Sequence, residues 1–223
     1  MPSKTAAPRP ADSLPRVRRG NAGDAQLMRE VLTDAALALF SEGGPNAVSM
    51  RGLSARLGIS AMTPYRYFAN KAALFGALWQ HLFADLHAAV SRAVDSHTGG
   101  RNRFRACVDA FLAYYESHPD EYRLVYLTPH GTGVAEPEQI SMFGEFKRLI
   151  RLGVAEFAQE IGVAPTHGPI AEDLTLLTVF GYLQAAMVHH GHPWSDRGLL
   201  RSACIGQMVL MVERCLRDGP HDN

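Results

Sequence analysis

The sequence predicts an all-α chain: an N-terminal three-helix helix-turn-helix module joined by a long helix to a C-terminal helical bundle. Three observations carry this. Apolar residues recur at three- and four-residue intervals through most of the 223 residues. No segment of strand length alternates with period two, and glycine or proline clusters punctuate the helical runs. With 47% hydrophobic and 20% charged residues the chain has apolar material for a core of one medium or two small domains, so general disorder is not expected.

Residues 1–22, with Pro2, Pro8, Pro10, Pro15 and the cluster Arg16, Arg18, Arg19, read as a flexible basic arm. From 24 to 41, Leu27, Val31, Leu32, Ala35, Leu39 and Phe40 mark an amphipathic helix that Gly43-Gly44-Pro45 ends. Ser49 caps the next helix, Leu53 and Leu57 turn inward at i, i+4, Gly58 stops it and Ile59 plugs the turn. Ser60 then caps a second short helix, so residues 49–68 form a helix-turn-helix of the kind that reads DNA. A proline at Pro64 removes at most one early helical hydrogen bond and stiffens the first turn.

Asn70-Lys71 opens a long helix to about Val94, whose stripe of Leu74, Phe75, Leu78, Trp79, Leu82, Phe83 and Leu86 suits a connecting rod. DSHTGGRN over 95–102 is a loop, Phe104 to Ser117 a helix, and His118-Pro119 a break. A short helix over 120–128, a loop over 129–137 and a long helix over 138–161 follow. Two strongly apolar helices, 171–190 and 196–217, flank GHPWS. They hold more apolar surface than one edge of a small bundle needs, which implies a homodimer formed by those helices. The domains are then the arm 1–22, a DNA-binding domain 23–70 and a ligand-binding and dimerisation domain 71–223.

The formal net charge of zero hides an asymmetry. Residues 1–71 hold ten Lys/Arg against five Asp/Glu, and residues 72–223 hold twelve against seventeen. Neutralising phosphates is the main source of affinity for nucleic acid, so the basic end is the one that would face a polyanion. The arm could enter a minor groove or remain a solvated tail. Cys107, Cys204 and Cys215 are odd in number and lack CxxC spacing, so buried thiols are expected rather than a disulfide framework or zinc module. No apolar run is long enough to span a bilayer and the N-terminus lacks an apolar signal core, so a cytoplasmic protein is expected. The high arginine and alanine content suggests a GC-rich genome.

ALALFSEGG, SMRGLSARLGIS and TPYRYFANKAALF together resemble the TetR family of bacterial transcriptional regulators, specifically over residues 26–86. SHPDEYRLVYL and FGYLQAAMVHHG further resemble a subgroup with a WHG-type C-terminal domain, although the Trp-His-Gly triplet itself is missing. The resemblance implies that Ser49 and Arg51 contact phosphates and that Lys71 pins the backbone at the start of the long helix. It also implies that Ser60, Ala61, Met62, Thr63 and Tyr65 face base edges, with Tyr67 and Arg66 reaching phosphate or the groove wall. The methyl-rich contacts of Ala61, Met62 and Thr63 suit thymine methyls. Met62 and Pro64 depart from the commoner family pattern, which leaves the base preference open.

The family uses its C-terminal bundle as an effector pocket. Here Tyr114, Tyr115, Tyr122, Phe143, Phe146, Phe180, Gln184 and Met187 are candidates to line one suited to a small, largely apolar molecule. Aromatic residues at helical spacing equally describe a packed core. The expected function is a homodimeric repressor that binds a palindromic operator and releases it when an effector binds. The alternative is an effector-independent DNA-binding adaptor whose C-terminal domain binds a protein. His189, His190 and His192, and His81 and His87 around Asp85, lack a completing ligand at recognised spacing, so no metal or other cofactor is expected. No GxSxG elbow, phosphate-binding glycine loop, HExxH or activated nucleophile points to an enzyme.

Overall fold

The computed structural model describes residues 22–127, 136–188 and 192–219, and among them the regular elements are helical, with no strand. In order they are α1 (Ala22–Ala47), α2 (Met50–Leu57), a 3-10 turn (Pro64–Arg66), α3 (Lys71–Asp95), α4 (Gly100–Ser117), α5 (Pro119–Tyr122), α6 (Glu136–Glu160), α7 (Gly168–Val188) and α8 (Arg197–Asp218). A π-type segment, Arg123–Leu127, extends α5. The arm, the loop over 128–135, and His189 and His190 lie outside the described residues. Two compact units divide inside α3, between Trp79 and Gln80. The expected boundary at 70/71 falls earlier, because Leu74, Phe75, Leu78 and Trp79 are buried residues of the first unit.

In the first unit the chain punctuation acts as its chemistry requires. α1 loses helical geometry at Gly43 and at Gly44, whose φ of 68° is readily adopted only by glycine. Ser49 Oγ accepts from Gly52 N at 2.9 Å, satisfying an amide at the start of α2. At its end, Gly58 (φ 64°) lets Ile59 N reach Ser54 O at 3.0 Å and its own N–H reach Ala55 O at 3.4 Å. Asn70 Oδ1 caps α3 by accepting from Ala73 N at 2.8 Å. α1 packs on α2, and α2 on the 3-10 turn. Leu32, Ala36, Phe40, Val48, Leu53 and Phe68 are buried in this unit.

The second helix of the expected helix-turn-helix is the main departure. Residues 61–67 form turns and a 3-10 segment instead of an α-helix. Pro64 has no N–H, so Ser60 O cannot receive its α-helical partner and takes Thr63 N at 2.8 Å. Arg66 N then bonds Thr63 O at 3.1 Å and Tyr67 N bonds Pro64 O at 3.0 Å, continuing the tighter i, i+3 pattern. The proline does more than delete one bond: it resets the winding of the turn around it.

In the second unit α4 touches α6, α7 and α8. Gly99 and Gly100 bring its first turn onto α6 so closely that a Cβ on Gly100 would overlap the backbone of Glu156 and Phe157. The start of α4 has no side-chain cap of its own, and Glu160 Oε2 accepts from Arg101 N at 3.1 Å instead. Arg103 Nε donates to Glu156 Oε2 at 2.7 Å, and Arg101 pairs with Glu213 of α8. Below this seam Phe104, Phe111, Phe157, Val179, Leu183 and Val212 are fully buried in one cluster. Each such side chain stabilises the fold by about 1.5–3 kcal/mol through water exclusion.

A polar pair interrupts this core. Tyr114 Oη donates to Glu121 Oε2 at 2.7 Å, and Glu121 is only 8% exposed. Burial holds its carboxyl above the usual range; Asp85 adds to this, while the Tyr114 hydrogen bond, His118 and His81 oppose it.

Gly100→Ala should destabilise the second unit by about 1–3 kcal/mol or more, since the obstacle is backbone and cannot rotate away; urea unfolding of both proteins measures it. For Glu121 the folded chain binds its proton more tightly than the unfolded chain. Stability should therefore decline as pH rises from the ordinary carboxylate range through the raised folded value. Urea midpoints against pH should show that decline flattened in Glu121→Gln, and an unchanged profile would remove Glu121 as its source.

Candidate nucleic-acid interface and ligand cavity

The ten residues expected at DNA all lie in the first unit. Pro64 is buried, and this turns its neighbours outward: Met62 is 68% and Tyr65 50% exposed, with Ser60, Ala61 and Arg66 also exposed. Thr63, Tyr67 and Ser49 are half-buried, and Arg51 and Lys71 are exposed. Arg29 ties the turn to α1, donating to Tyr67 O at 2.7 Å and lying 4.7 Å from the centre of the Phe68 ring. Lys71 Nζ donates to Pro45 O at 2.8 Å, which leaves two of its three N–H groups for another acceptor. Ser49 keeps its hydroxyl proton, because its oxygen is the acceptor in the cap. The assembly is a short convex turn with thioether, methyl and phenol groups at its surface and cations on its flanks.

The aromatic residues expected at an effector fall into a packed cluster in the second unit. Phe111 stacks on Phe146 at 3.9 Å, Tyr115 meets Tyr122 at 5.4 Å, and Tyr126 meets Phe180 at 5.0 Å. Tyr114 lies edge-on to Tyr115 at 5.4 Å. Gln184 is exposed, and the side chain of Phe143 is outside the described set. Phe146 also borders a cavity of about 260 Å³ with Phe83, Leu86 and Leu149.

A cavity of about 590 Å³ opens elsewhere in the same unit, and of the eight expected residues Met187 lines it. Its apolar wall comes from Ala185, Ala186 and Met187 on α7, Trp194, and Leu200 on α8. Glu116, Tyr182, Arg197, Arg201 and Cys204 supply its polar and polarisable groups. Tyr182 Oη donates to Glu116 Oε1 at 2.6 Å, and Arg201 Nε donates to Glu116 Oε2 at 2.8 Å. Arg201 also reaches Asp109 Oδ1 at 2.5 Å. Burial, reinforced by Glu116, pushes the Tyr182 phenol well above its ordinary value, so it remains a neutral donor. Asp196 caps α8 by accepting from Leu199 N at 2.9 Å.

This cavity was not legible in the sequence because its residues come from the end of α4, the start of α5, the end of α7, the GHPWS link and the start of α8. The only available signals were Arg197, Arg201 and Cys204, spaced one helical turn apart on α8, and a tryptophan in a segment that otherwise reads as a break.

Burial pushes the Cys107 thiol up to about 12 and raises those of Cys204 and Cys215, which leaves all three protonated at neutral pH. Among the described residues no group of three or more His, Cys, Asp or Glu is gathered as a metal site. The His192 and Trp194 rings lie 4.1 Å apart, tilted by 52°, and His81 lies 3.6 Å from Asp85. No described helix is long and apolar enough to cross a membrane.

Residues 32–78 match the model of the tetR family of bacterial regulatory proteins. The HTH-type transcriptional activator FasR of Mycolicibacterium smegmatis is 32% identical over 121 residues, 54% of this chain and 54% of FasR. The chain thus spans about half the length of that relative. The nucleoid occlusion factor SlmA of Photobacterium profundum is 22% identical over 159 residues, 71% of this chain and 80% of SlmA. Among solved structures, a protein of unknown function from Rhodococcus sp. RHA1 superposes with a TM-score of 0.71 at 23% identity, covering 91% of this chain and 99% of that one. The TetR family transcriptional regulator PfmR of Thermus thermophilus superposes with a TM-score of 0.58 at 16% identity, covering 87% and 97%. These two likenesses establish the shared fold. With the family match lying on the helix-turn-helix, residues 32–78 form an N-terminal domain of the tetR family of bacterial regulatory proteins.

Proposed function

We propose that the protein acts as a homodimer on a two-fold symmetric operator and is released when a small molecule occupies its second unit. The outward display of Met62 and Tyr65 on a turn braced by buried Pro64 carries the DNA-binding part. In this reading Ser60, Ala61, Met62, Thr63 and Tyr65 meet base edges, while Ser49, Arg51, Arg66, Tyr67 and Lys71 hold phosphates.

The dimer is supported by an exposed apolar stripe on α7 and α8. Ile170, Leu177, Leu199 and Leu210 are 43%, 69%, 71% and 54% exposed. Gly181 and Gly206 have open space where a Cβ would stand, which permits close approach of helices. Two copies of this pair would make a four-helix interface with two-fold symmetry. Both recognition turns must then match successive major grooves, about 34 Å apart, so a small ligand-driven change in their separation abolishes simultaneous contact. α3, which carries residues of both units, is the covalent route for that change.

The 590 Å³ cavity lies within the usual range of small-molecule sites and supports effector control. Repression is the simplest sign for such a switch, whereas FasR is by name an activator. Similarity to SlmA, by name a nucleoid occlusion factor, favours a second reading in which the chain works without a small-molecule effector.

Selection of bound sequences from random duplex DNA at moderate salt tests the central reading. A palindrome with half-sites about one helical turn apart is expected, and failure to enrich any motif would overturn it. Tyr65→Ala should weaken binding to that palindrome more than to random DNA, whereas Lys71→Ala should weaken both and lower the salt slope by about one. Leu210→Asp should convert a dimer to a monomer in sedimentation and abolish palindrome binding; a dimer that survives would exclude this face.

A further inference from the structure

This inference rests on the effector reading and narrows it to a ligand class. The charges around the 590 Å³ cavity are not evenly spent. Glu116 gives one oxygen to Tyr182 and the other to Arg201, and Arg201 is further held by Asp109. That network closes on itself: its tyrosine donor is used, and its one cavity-lining carboxylate is neutralised by its arginine. Arg197, also in the lining, is exposed and has no hydrogen-bond or ion-pair partner among the described residues. Among the described residues the cavity thus offers one uncommitted cation, Arg197, beside a wall of Ala185, Ala186, Met187, Trp194 and Leu200.

We propose that this cavity binds an amphipathic monoanion, a carboxylic acid with an extended apolar body, whose carboxylate pairs with Arg197 and whose body lies along the α7–α8 wall. An uncharged apolar molecule would gain the wall and leave the guanidinium unused. A cation would meet Arg197 with like charge and find Glu116 already paired. A dianionic or multiply phosphorylated head would bring more charge than one arginine neutralises. Guanidinium and carboxylate match as two parallel N–H to O contacts, which gives the head a defined orientation at the mouth. Trp194 adds an indole donor that no described residue accepts, and it reports from inside the lining.

That placement provides the test. The chain has two tryptophans, and Trp79 lies in the first unit. A bromine atom quenches indole fluorescence on contact, so ω-bromododecanoate, ω-bromododecanol and ω-bromododecyltrimethylammonium are titrated below their micellar range into the full-length protein without DNA. Bromododecanoate is expected to quench and to bind at least about ten-fold more tightly than the alcohol, as a charge-assisted pair implies. Trp194→Phe should remove the quench. Arg197→Gln should erase the preference for the acid while leaving alcohol binding as it was, and Ala186→Trp should block both by filling the cavity.

Equal binding of acid and alcohol, tighter binding of the ammonium compound, or a preference that survives Arg197→Gln would overturn the proposal. Operator release is read separately, by adding bromododecanoate to the protein–palindrome complex. Arg197-dependent binding that leaves the complex intact would sink effector control and keep the ligand site. Release without that dependence would keep effector control and sink the ligand class.

Discussion

The second unit depends on one backbone-to-backbone contact, where Gly100 lets the start of α4 rest on Glu156 and Phe157 of α6. Any side chain there would force the helices apart. With them in contact, Phe104 and Phe157 come to 6.1 Å and close the core below, while Glu160 supplies the cap that α4 lacks. Arg101 and Arg103 then fasten the same turn to α8 and α6. Ion pairs this exposed contribute little by themselves, so they orient the seam more than they stabilise it. What holds it is the apolar burial that the close approach permits.

A comparable constraint of opposite character governs the first unit. Pro64 removes a donor in the middle of the exposed turn over 61–67, and Ser60 O takes the amide of Thr63 instead. The i, i+3 winding packs Pro64 inward and leaves Met62 and Tyr65 as the prominent outward groups. Arg29 holds the far end of the turn through Tyr67 O. The element that would meet DNA is therefore short and braced from α1, where a longer helix would be braced by its own ladder.

The two candidate sites differ in how far they could be read from residues alone. The residues proposed to meet DNA all lie between positions 49 and 71, and their surroundings are set by caps and stops within a few positions, so Ser49, Gly58 and Asn70 announce them. The cavity is assembled from α4, α7, the link after it and α8, so its lining is a consequence of packing. The aromatic residues that sequence spacing offered for a pocket gather into a packed cluster around Phe111, Tyr115 and Phe146, with Phe146 also bordering the smaller cavity and Met187 lining the larger one. Spacing identified apolar faces correctly and could not say where two faces would fail to meet.

By itself the sequence determined the all-α class, most helix ends to within a few residues and the basic character of residues 1–71. These follow from local chemistry: glycine at positive φ, a missing proline amide, a side chain within reach of an orphan N–H, and apolar residues at helical period. Only tertiary structure decided that the unit boundary falls at Trp79, and that Arg201 is consumed by Glu116 and Asp109 while Arg197 has no partner among the described residues. The two arginines stand one turn apart on the same helix with the same chemistry. What separates them is which carboxylates the neighbouring helix brings within reach, and that distance exists only once the chain is packed.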